Sequence, residues 1–425
     1  MEFFSFLPIR LIWLLLKVGE RFLANPLVFN SVIISLSKNP IMRTNPLSFL
    51  ILLMLIFACS EKSKLQSVHP GDIQFIKVDS IQIPYLGLLN LMDVHLSTGQ
   101  LLFYNQQKGQ LVLGNMKGEM IREFSKQGDV PDSYGFFPLG AGKFSSDGKT
   151  FTIISNQGVY TYDMDGNLRI GGRHKISKLP AFSGRASSDM EFFWVGDRIL
   201  TVGAGRGEHP RNTTEFYENY QSLAWFDTLE RQVEQFMKLD ENSVFRNGMA
   251  HDISHLTPKM AVAHDRIYFV QGIEPALNIH SLNPPYEKVR RVEFGIADYS
   301  FNQGEDFKKA DPRIINPDMY SGRIENLKVT DQYVLVSFFP GIPEHEQAKY
   351  ENLAWVEFSD KSRKDYNPRM LVMDLDGNLL TELEIPLQFS ERQWLYRDGY
   401  LWFLAPVNLE EEEDFVKVYK VKLGK

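Results

Sequence analysis

The chain has 425 residues, with 46 Lys and Arg against 53 Asp and Glu, a net charge of −7. That mild acidity argues against the basic surface that nucleic-acid binding requires, and 44% hydrophobic with 23% charged residues argues against a disordered chain. A single cysteine rules out an internal disulfide and Cys-rich zinc or iron–sulfur sites. Aromatic residues make up 13%, with 31 Phe, a usage that favours strands.

Residues 1–41 hold two apolar stretches, one broken by Pro8 and Arg10, the other by Asn25, Pro26 and Asn30. Neither is a clean span of about 20 apolar residues. The stretch reads as an over-extended start with Met42 as the initiator, or as a membrane-associated leader. From Met42 the chain shows a basic residue, Arg43, then an apolar run from Leu47 to Phe57, then Ala58 and Cys59. The run is too short to span a bilayer and has the layout of a signal peptide. Ile56-Phe57-Ala58-Cys59 resembles the lipobox of a bacterial lipoprotein, whose cysteine is acylated and becomes the mature N-terminus; Phe57 departs from the usual small residue. The competing reading is a buried free cysteine ending a membrane helix. The resemblance implies a signal at 42–58, lipidation at Cys59, a polar tether at 59–70, and a place in the cell envelope, at the outer membrane. The mature chain would have 367 residues, with 41 Lys and Arg against 51 Asp and Glu.

Beyond residue 70 the pattern is short apolar or alternating runs separated by Gly, Asp, Asn and Pro. A tight turn leading into an apolar strand recurs six times, at 96–100, 146–149, 195–198, 263–266, 329–332 and 396–399. Asp and Gly suit such hairpins because they tolerate positive φ. A third strand follows each, at 111–115, 160–167, 223–227, 277–280, 371–378 and 415–419. A fourth follows the first five, at 120–124, 168–171, 233–239, 289–294 and 379–385. Four strands every 50 to 70 residues or so match a propeller blade. The sixth unit lacks its fourth strand, and a strand-like run at 73–83 supplies it, closing the ring and covering a sheet edge. The expected fold is all-β, a six-bladed β-propeller of four-stranded blades over 71–425. A seventh blade would have to lie in 295–322, which lacks strand alternation.

From about residue 71 onward the chain resembles the lipid-anchored six-bladed propeller proteins common in Bacteroidota, many of them families without an assigned function. Those proteins often carry a Gly-x-Gly-Pro-Gly-Glu-Phe loop between early blades. Here Gly128-Asp129-Val130-Pro131-Asp132-Ser133-Tyr134-Gly135-Phe136 stands at similar spacing and keeps part of that motif.

By strand counting, the long connections 125–142, 172–188, 203–221, 240–257, 295–322 and 340–369 share one face, over the central channel. Long loops carry function more often than tight ones, so the binding face is expected there. Two of them share wording. One reads Gly207-Glu208-His209-Pro210, then Phe216-Tyr217-Glu218-Asn219 and Leu223-Ala224-Trp225. The other reads Pro343-Glu344-His345-Glu346, then Tyr350-Glu351-Asn352-Leu353-Ala354-Trp355. This reads as an inherited repeat that caps the channel, with direct ligand contact as the other role.

His251-Asp252-Ile253-Ser254-His255 spaces two His at i, i+4, which on a helix would suit zinc. Asp252 stands where the zinc-protease motif has Glu, and no third ligand is fixed, so a polar loop or capping turn is expected and no metal. His264 falls in a turn on the opposite face. No Gly-x-Ser-x-Gly elbow occurs. Asp163-Met164-Asp165-Gly166-Asn167 and Asp374-Leu375-Asp376-Gly377-Asn378 are similar to calcium loops but lack the downstream Glu, and read as hairpin turns. Asn212-Thr213-Thr214 fits a glycosylation pattern of little weight in a bacterial-looking chain. No cofactor is expected.

The candidate ligand residues are Arg185, His209, Arg211, Arg246, His251, Arg313, Tyr320, Arg323, His345 and Arg392 on the long-loop face. Arg forks bind carboxylate or phosphate, and aromatic faces suit sugars. The first reading is a non-enzymatic module holding a small molecule, glycan or partner protein at the envelope, with the membrane as partner through Cys59 and no nucleic acid. The alternatives are a lyase or hydrolase using His and Arg over the channel, and a structural scaffold. A concave polar pocket would favour the first two, and a flat plugged face the scaffold. Replacing the anchor tests localisation directly: Cys59→Ala is expected to abolish lipid labelling and to move the protein from the membrane to the soluble fraction.

Overall fold

The computed structural model describes residues 73–136, 138–175, 186–203, 209–408 and 413–424. The signal-like segment, Cys59 and the tether lie outside the described residues, as does Arg185. Six antiparallel four-stranded sheets follow one another along the chain. Blade 1 is Asn90–His95, Gln100–Asn105, Gln110–Asn115 and Met120–Ser125. Blade 2 is Lys143–Phe144, Thr150–Ile154, Gly158–Asp163 and Leu168–Arg173. Blade 3 is Phe193–Val195, Arg198–Val202, Gln221–Asp227 and Gln232–Lys238. Blade 4 is Lys259–Ala263, Arg266–Val270, Ala276–Ser281 and Lys288–Glu293. Blade 5 is Arg323–Val329, Val334–Phe339, Arg369–Met373 and Leu379–Glu384. Blade 6 takes Trp394–Arg397, Tyr400–Leu404 and Phe415–Gly424 from the C-terminal end, and its outer strand, Gln74–Pro84, from the beginning of the propeller.

The expected closure is therefore observed. Gln74 pairs with Gly424 and Pro84 with Phe415, in antiparallel register, with one irregularity near Asp79. Ile81 and Ile83 face inward and join Leu91, Phe103, Trp402 and Val418 in an apolar cluster that welds blade 6 to blade 1. Similar clusters fill the spaces between blades 1 and 2, 2 and 3, 3 and 4, and 4 and 5. The core is thus a ring of blade-to-blade interfaces. This explains why second and third strands are buried along most of their length (Val334–Phe339 throughout), whereas fourth strands such as Met120–Ser125 are largely exposed.

The hairpin turns follow from short-range chemistry. Asp163 Oδ1 accepts hydrogen bonds from the backbone N–H groups of Asp165 and Asn167, and Asp374 Oδ1 from those of Asp376 and Asn378. Gly166 and Gly377 take φ of 80° and 83°, a region that disfavours side chains. These carboxylates are spent on their own turns, as hairpin turns require. Asn115 does the same for Lys117 and Glu119.

The shared loop wording does not fold alike. Leu223-Ala224-Trp225 lies within the third strand of blade 3, where Trp225 is 3% exposed. Leu353-Ala354-Trp355 instead leads into a helix, where Trp355 is 58% exposed. Context beyond the local words decides, as it does for short segments generally.

The first strands of the blades are innermost and pack against one another. Charged side chains, rather than apolar ones, fill the space they enclose. Glu191, just ahead of blade 3, pairs with Lys143 of blade 2 (3.1 Å), Lys328 of blade 5 (3.3 Å) and Arg397 of blade 6. Arg397 also bonds Asp93 of blade 1 (2.8 Å), Lys259 of blade 4 pairs with Asp189, and Arg392 pairs with Glu325 (2.7 Å). Burial opposes the charge on Glu191, but Arg397, Lys143 and Lys328 outweigh it and hold the carboxyl well below its usual range. Removing that carboxylate takes the ion-pair partner from Lys143 and Lys328 and leaves Arg397 with Asp93 alone. Glu191→Ala is expected to cost about 3–5 kcal/mol of stability, against less than about 1 kcal/mol for Asp165→Ala at the exposed Arg122–Asp165 pair, as read by urea unfolding of the two variants.

Candidate functional site

Because neighbouring strands alternate in direction, the connections after second and fourth strands emerge at one end of the ring. Among the described residues two carry α-helices: α1, Thr214–Asn219, in blade 3, and α2, Trp355–Asp365, in blade 5. The connections before and after blade 4 also meet each other, through the two-residue strands Met249–Ala250 and Glu305–Asp306. In 295–322 this strand is the only one among the described residues.

These loops converge on residues 251–256. Asp252 caps a single 3₁₀ turn, Ile253–Leu256, by accepting from Ser254 N at 2.9 Å and Ser254 Oγ at 2.7 Å. His251 stands before the cap, so it shares no helix face with His255, and the zinc geometry of an i, i+4 pair does not form. Among the described residues no three His, Cys, Asp or Glu side chains are grouped to hold a metal ion. Aromatic residues of the α1 loop support the turn: the Tyr217 hydroxyl accepts from His251 N at 2.7 Å, and the Tyr220 hydroxyl donates to Leu256 O at 3.1 Å. From below, Ile273 N donates to His255 O at 2.9 Å. That approach needs Gly272, whose φ is +56° and where a Cβ would lie 1.7 Å from His255 O.

Arg211 ties the turn to the connection that follows blade 4. Its guanidinium donates to His251 O (3.1 Å), Asp252 Oδ2 (3.3 Å), Asp311 O (2.9 Å), Pro312 O (3.3 Å) and Ile314 O. A guanidinium has five N–H donors, so Arg211 is a staple. Asn316 N adds a bond to Asp252 Oδ2 at 2.7 Å, and Asp318 N donates to His255 Nε2 at 3.3 Å.

Two adjoining cavities result. The larger, about 770 Å³, lies between the 251–255 turn and residues 302–320. The smaller, about 310 Å³, opens over the inner strands of blades 4 and 5 and is lined by Lys259, Arg323, Glu325 and Arg392. His255, Pro317, Asp318 and Met319 belong to both. Together the walls carry five cationic and six carboxylate side chains, so there is no cationic excess to attract an anion. At the smaller cavity Arg323 and Arg392 both point an Nε–H at Glu325, at 2.6 and 2.7 Å. Burial opposes ionisation of Glu325, but Arg392 and Arg323 hold it well below its usual range. Apolar side chains stand at the edges: Ile314, Ile315 and Trp355 are each more than half exposed, and Trp355 stacks on Phe358 at 6.1 Å. Burial pushes the His251 imidazole down to about 4, with His255 adding to the effect, and burial also lowers His255. Both shifts favour the neutral imidazole.

Of the sequence-predicted ligand residues, Arg211, His251 and Tyr320 line the larger cavity, and Arg323 and Arg392 the smaller. His209, Arg246, Arg313 and His345 are exposed and line neither. Arg313 pairs with Asp311 at 2.8 Å, and His345 lies 3.6 Å from Glu346. His255, Lys259, Asp189 and Glu325 line the cavities but were not among the predicted residues. Lys259 and Glu325 carried a signal as charges within inner strands, whereas His255 lies in the 3₁₀ turn and Asp189 ahead of blade 3.

No family model matches the chain, and no curated protein matches it in sequence. Solved structures do resemble it. A member of the DUF4221 family from Bacteroides vulgatus superposes with a TM-score of 0.60 at 11% identity, over 83% of this chain and 98% of that one. A Bacteroides fragilis protein described as exported gives a TM-score of 0.46 at 12% identity, over 83% of this chain and 95% of that one. At these identities the likeness is one of fold: the chain is a six-bladed β-propeller with a Bacteroides counterpart of nearly the same extent.

Proposed function

We propose that this chain is a ligand-binding propeller of the bacterial cell envelope, tethered through lipid at Cys59, that holds a polar, hydroxyl-rich ligand such as a glycan on its long-loop face. The observation that carries the reading is the composite cavity. Its volume falls in the range of small-molecule sites; its interior is polar and charge-balanced, and an exposed Trp355 stands at its edge. Sugars present apolar faces and hydroxyl rims, which suit an exposed aromatic ring beside polar groups. The charge-filled channel beneath supports a ligand that rests at the mouth and does not pass through. Balanced charge also favours a neutral ligand over a phosphate or carboxylate, which would need unpaired cations. No helix among the described residues is long and apolar enough to cross a membrane, so the attachment in this proposal rests on the lipobox-like sequence.

Titration of the full-length lipoprotein in detergent with a panel of glycans is expected to give saturable binding. Trp355→Ala is expected to weaken that binding about tenfold, the ~1.4 kcal/mol scale of an aromatic contact, with the thermal midpoint unchanged. Binding that is insensitive to Trp355→Ala, or no saturable glycan binding, overturns the reading.

A further inference from the structure

His251 and His255 are 1% and 6% exposed, and each keeps one buried ring nitrogen, Nδ1, without a hydrogen-bond partner among the described residues. An unpaired buried nitrogen is destabilising, and the two occur together, on rings that line the same cavity. Neighbouring groups fix which proton each ring holds. Asn247 Nδ2 donates to Gln303 O at 2.9 Å, and Asn247 Oδ1 accepts from Met249 N at 3.0 Å, so the amide orientation is set. That oxygen lies 3.2 Å from His251 Nε2, which must therefore be the N–H of the neutral ring. His251 Nδ1 is then a bare acceptor. His255 is the reverse. Its Nε2 receives the backbone N–H of Asp318, so Nε2 is the lone pair and Nδ1 carries the hydrogen.

The two rings that line the cavity are thus neutral imidazoles of opposite tautomer, one with an unpaired acceptor and one with an unpaired donor, both nitrogens closed off from solvent. We propose that His251 and His255 turn these nitrogens to the cavity on binding and act as a matched pair that recognises neutral hydroxyl groups of a ligand, which both give and accept a hydrogen bond, and that discriminates against anionic ligands. This rests on the binding role proposed above and names the chemistry that site selects. A carboxylate offers only acceptors, so it satisfies His255 but sets a lone pair against His251 Nδ1. Protonating His251 would remove that clash, but burial among Phe245, Tyr217 and Gly304 opposes the charge. The titratable and charged groups nearest the two rings are Asp252, Asp318, Arg211 and Arg323. Asp252 is held by Ser254, Asn316 and Arg211, and Asp318 by Asn302 and Tyr320 N. Arg211 and Arg323 are themselves bonded to Asp252 and Glu325.

The test is nitrogen NMR of full-length protein labelled at histidine, with and without methyl hexopyranosides as neutral probes and the matching hexuronates as anionic ones. At pH 7 the free protein is expected to show His251 as the Nε2–H tautomer and His255 as the Nδ1–H tautomer, with His251 staying neutral until pH approaches about 4. A neutral methyl glycoside is expected to shift both Nδ1 resonances and to bind at least tenfold tighter than its uronate. His251→Leu, which removes the bare acceptor, is expected to lose most of that preference, and His251→Asn, whose Oδ1 keeps an acceptor near the Nδ1 position, to retain it. Identical tautomers, or a protonated ring at pH 7, overturn the inference whatever binds. Uronate binding as tight as the neutral glycoside, with Trp355 still required, overturns the inference and leaves the binding role standing. If no probe of either kind shifts the resonances or binds elsewhere on the long-loop face, both fall.

Discussion

The ring depends on one carboxylate. Glu191 enters from blade 3 and meets cations from blades 2, 5 and 6, so it reaches across the channel as well as along its wall. Apolar packing between blades is non-directional and would tolerate small rotations of one sheet against the next. The buried ion pairs are directional, and each cation without its partner would be costly. Asp93, Asp189 and Glu325 extend the same arrangement, so that every blade contributes charge to the channel. Hydrophobic clusters hold adjacent blades together, and the central charges fix how the blades are phased around the axis.

That division lets the two ends of the ring differ. Hairpin turns at one end are short and nearly self-sufficient, each closed by its own Asp, Asn or Gly. At the other end, long connections lean on one another. Tyr217 and Tyr220 hold the 251–256 turn, Arg211 holds that turn to residues 311–314, and Asn302 bonds Asp318 at 2.9 Å. The aromatic residues read from sequence as capping groups do pack, but what they support is the wall of a cavity. Trp355 is the exception, leaving the packed interior for the edge of the site.

Blade count, closure and hairpins were legible because their determinants are local. An Asp-x-Asp-Gly-Asn turn carries its own hydrogen-bond partners within five residues, and a missing fourth strand can be found by counting. The channel charges were legible in principle and were passed over. Asp93 sits between Met92 and Val94, and Lys328 between Leu327 and Val329, as charges flanked by apolar residues within inner strands. The site was harder to read because an arginine's partner is not written beside it. Arg211 looked like a ligand residue, yet three of its acceptors are backbone carbonyls about a hundred residues away. The 251–255 stretch was legible as a capping turn for the same local reason as the hairpins, since Asp252 finds its partner in Ser254 two residues on.

The seam between Gln74–Pro84 and Phe415–Gly424 also sets an order of events. The first strand of the propeller has no partner until the last strand of the chain exists, so the whole domain separates the two halves of one sheet. Contacts of such long sequence separation form late and slowly. A nascent chain would carry its opening strand unpaired throughout synthesis, and a chain threaded across a membrane would do so throughout transit. The ring would lock only when Phe415–Gly424 arrives: a chain interrupted within that strand would lose the anchorage of Gln74–Pro84 as well.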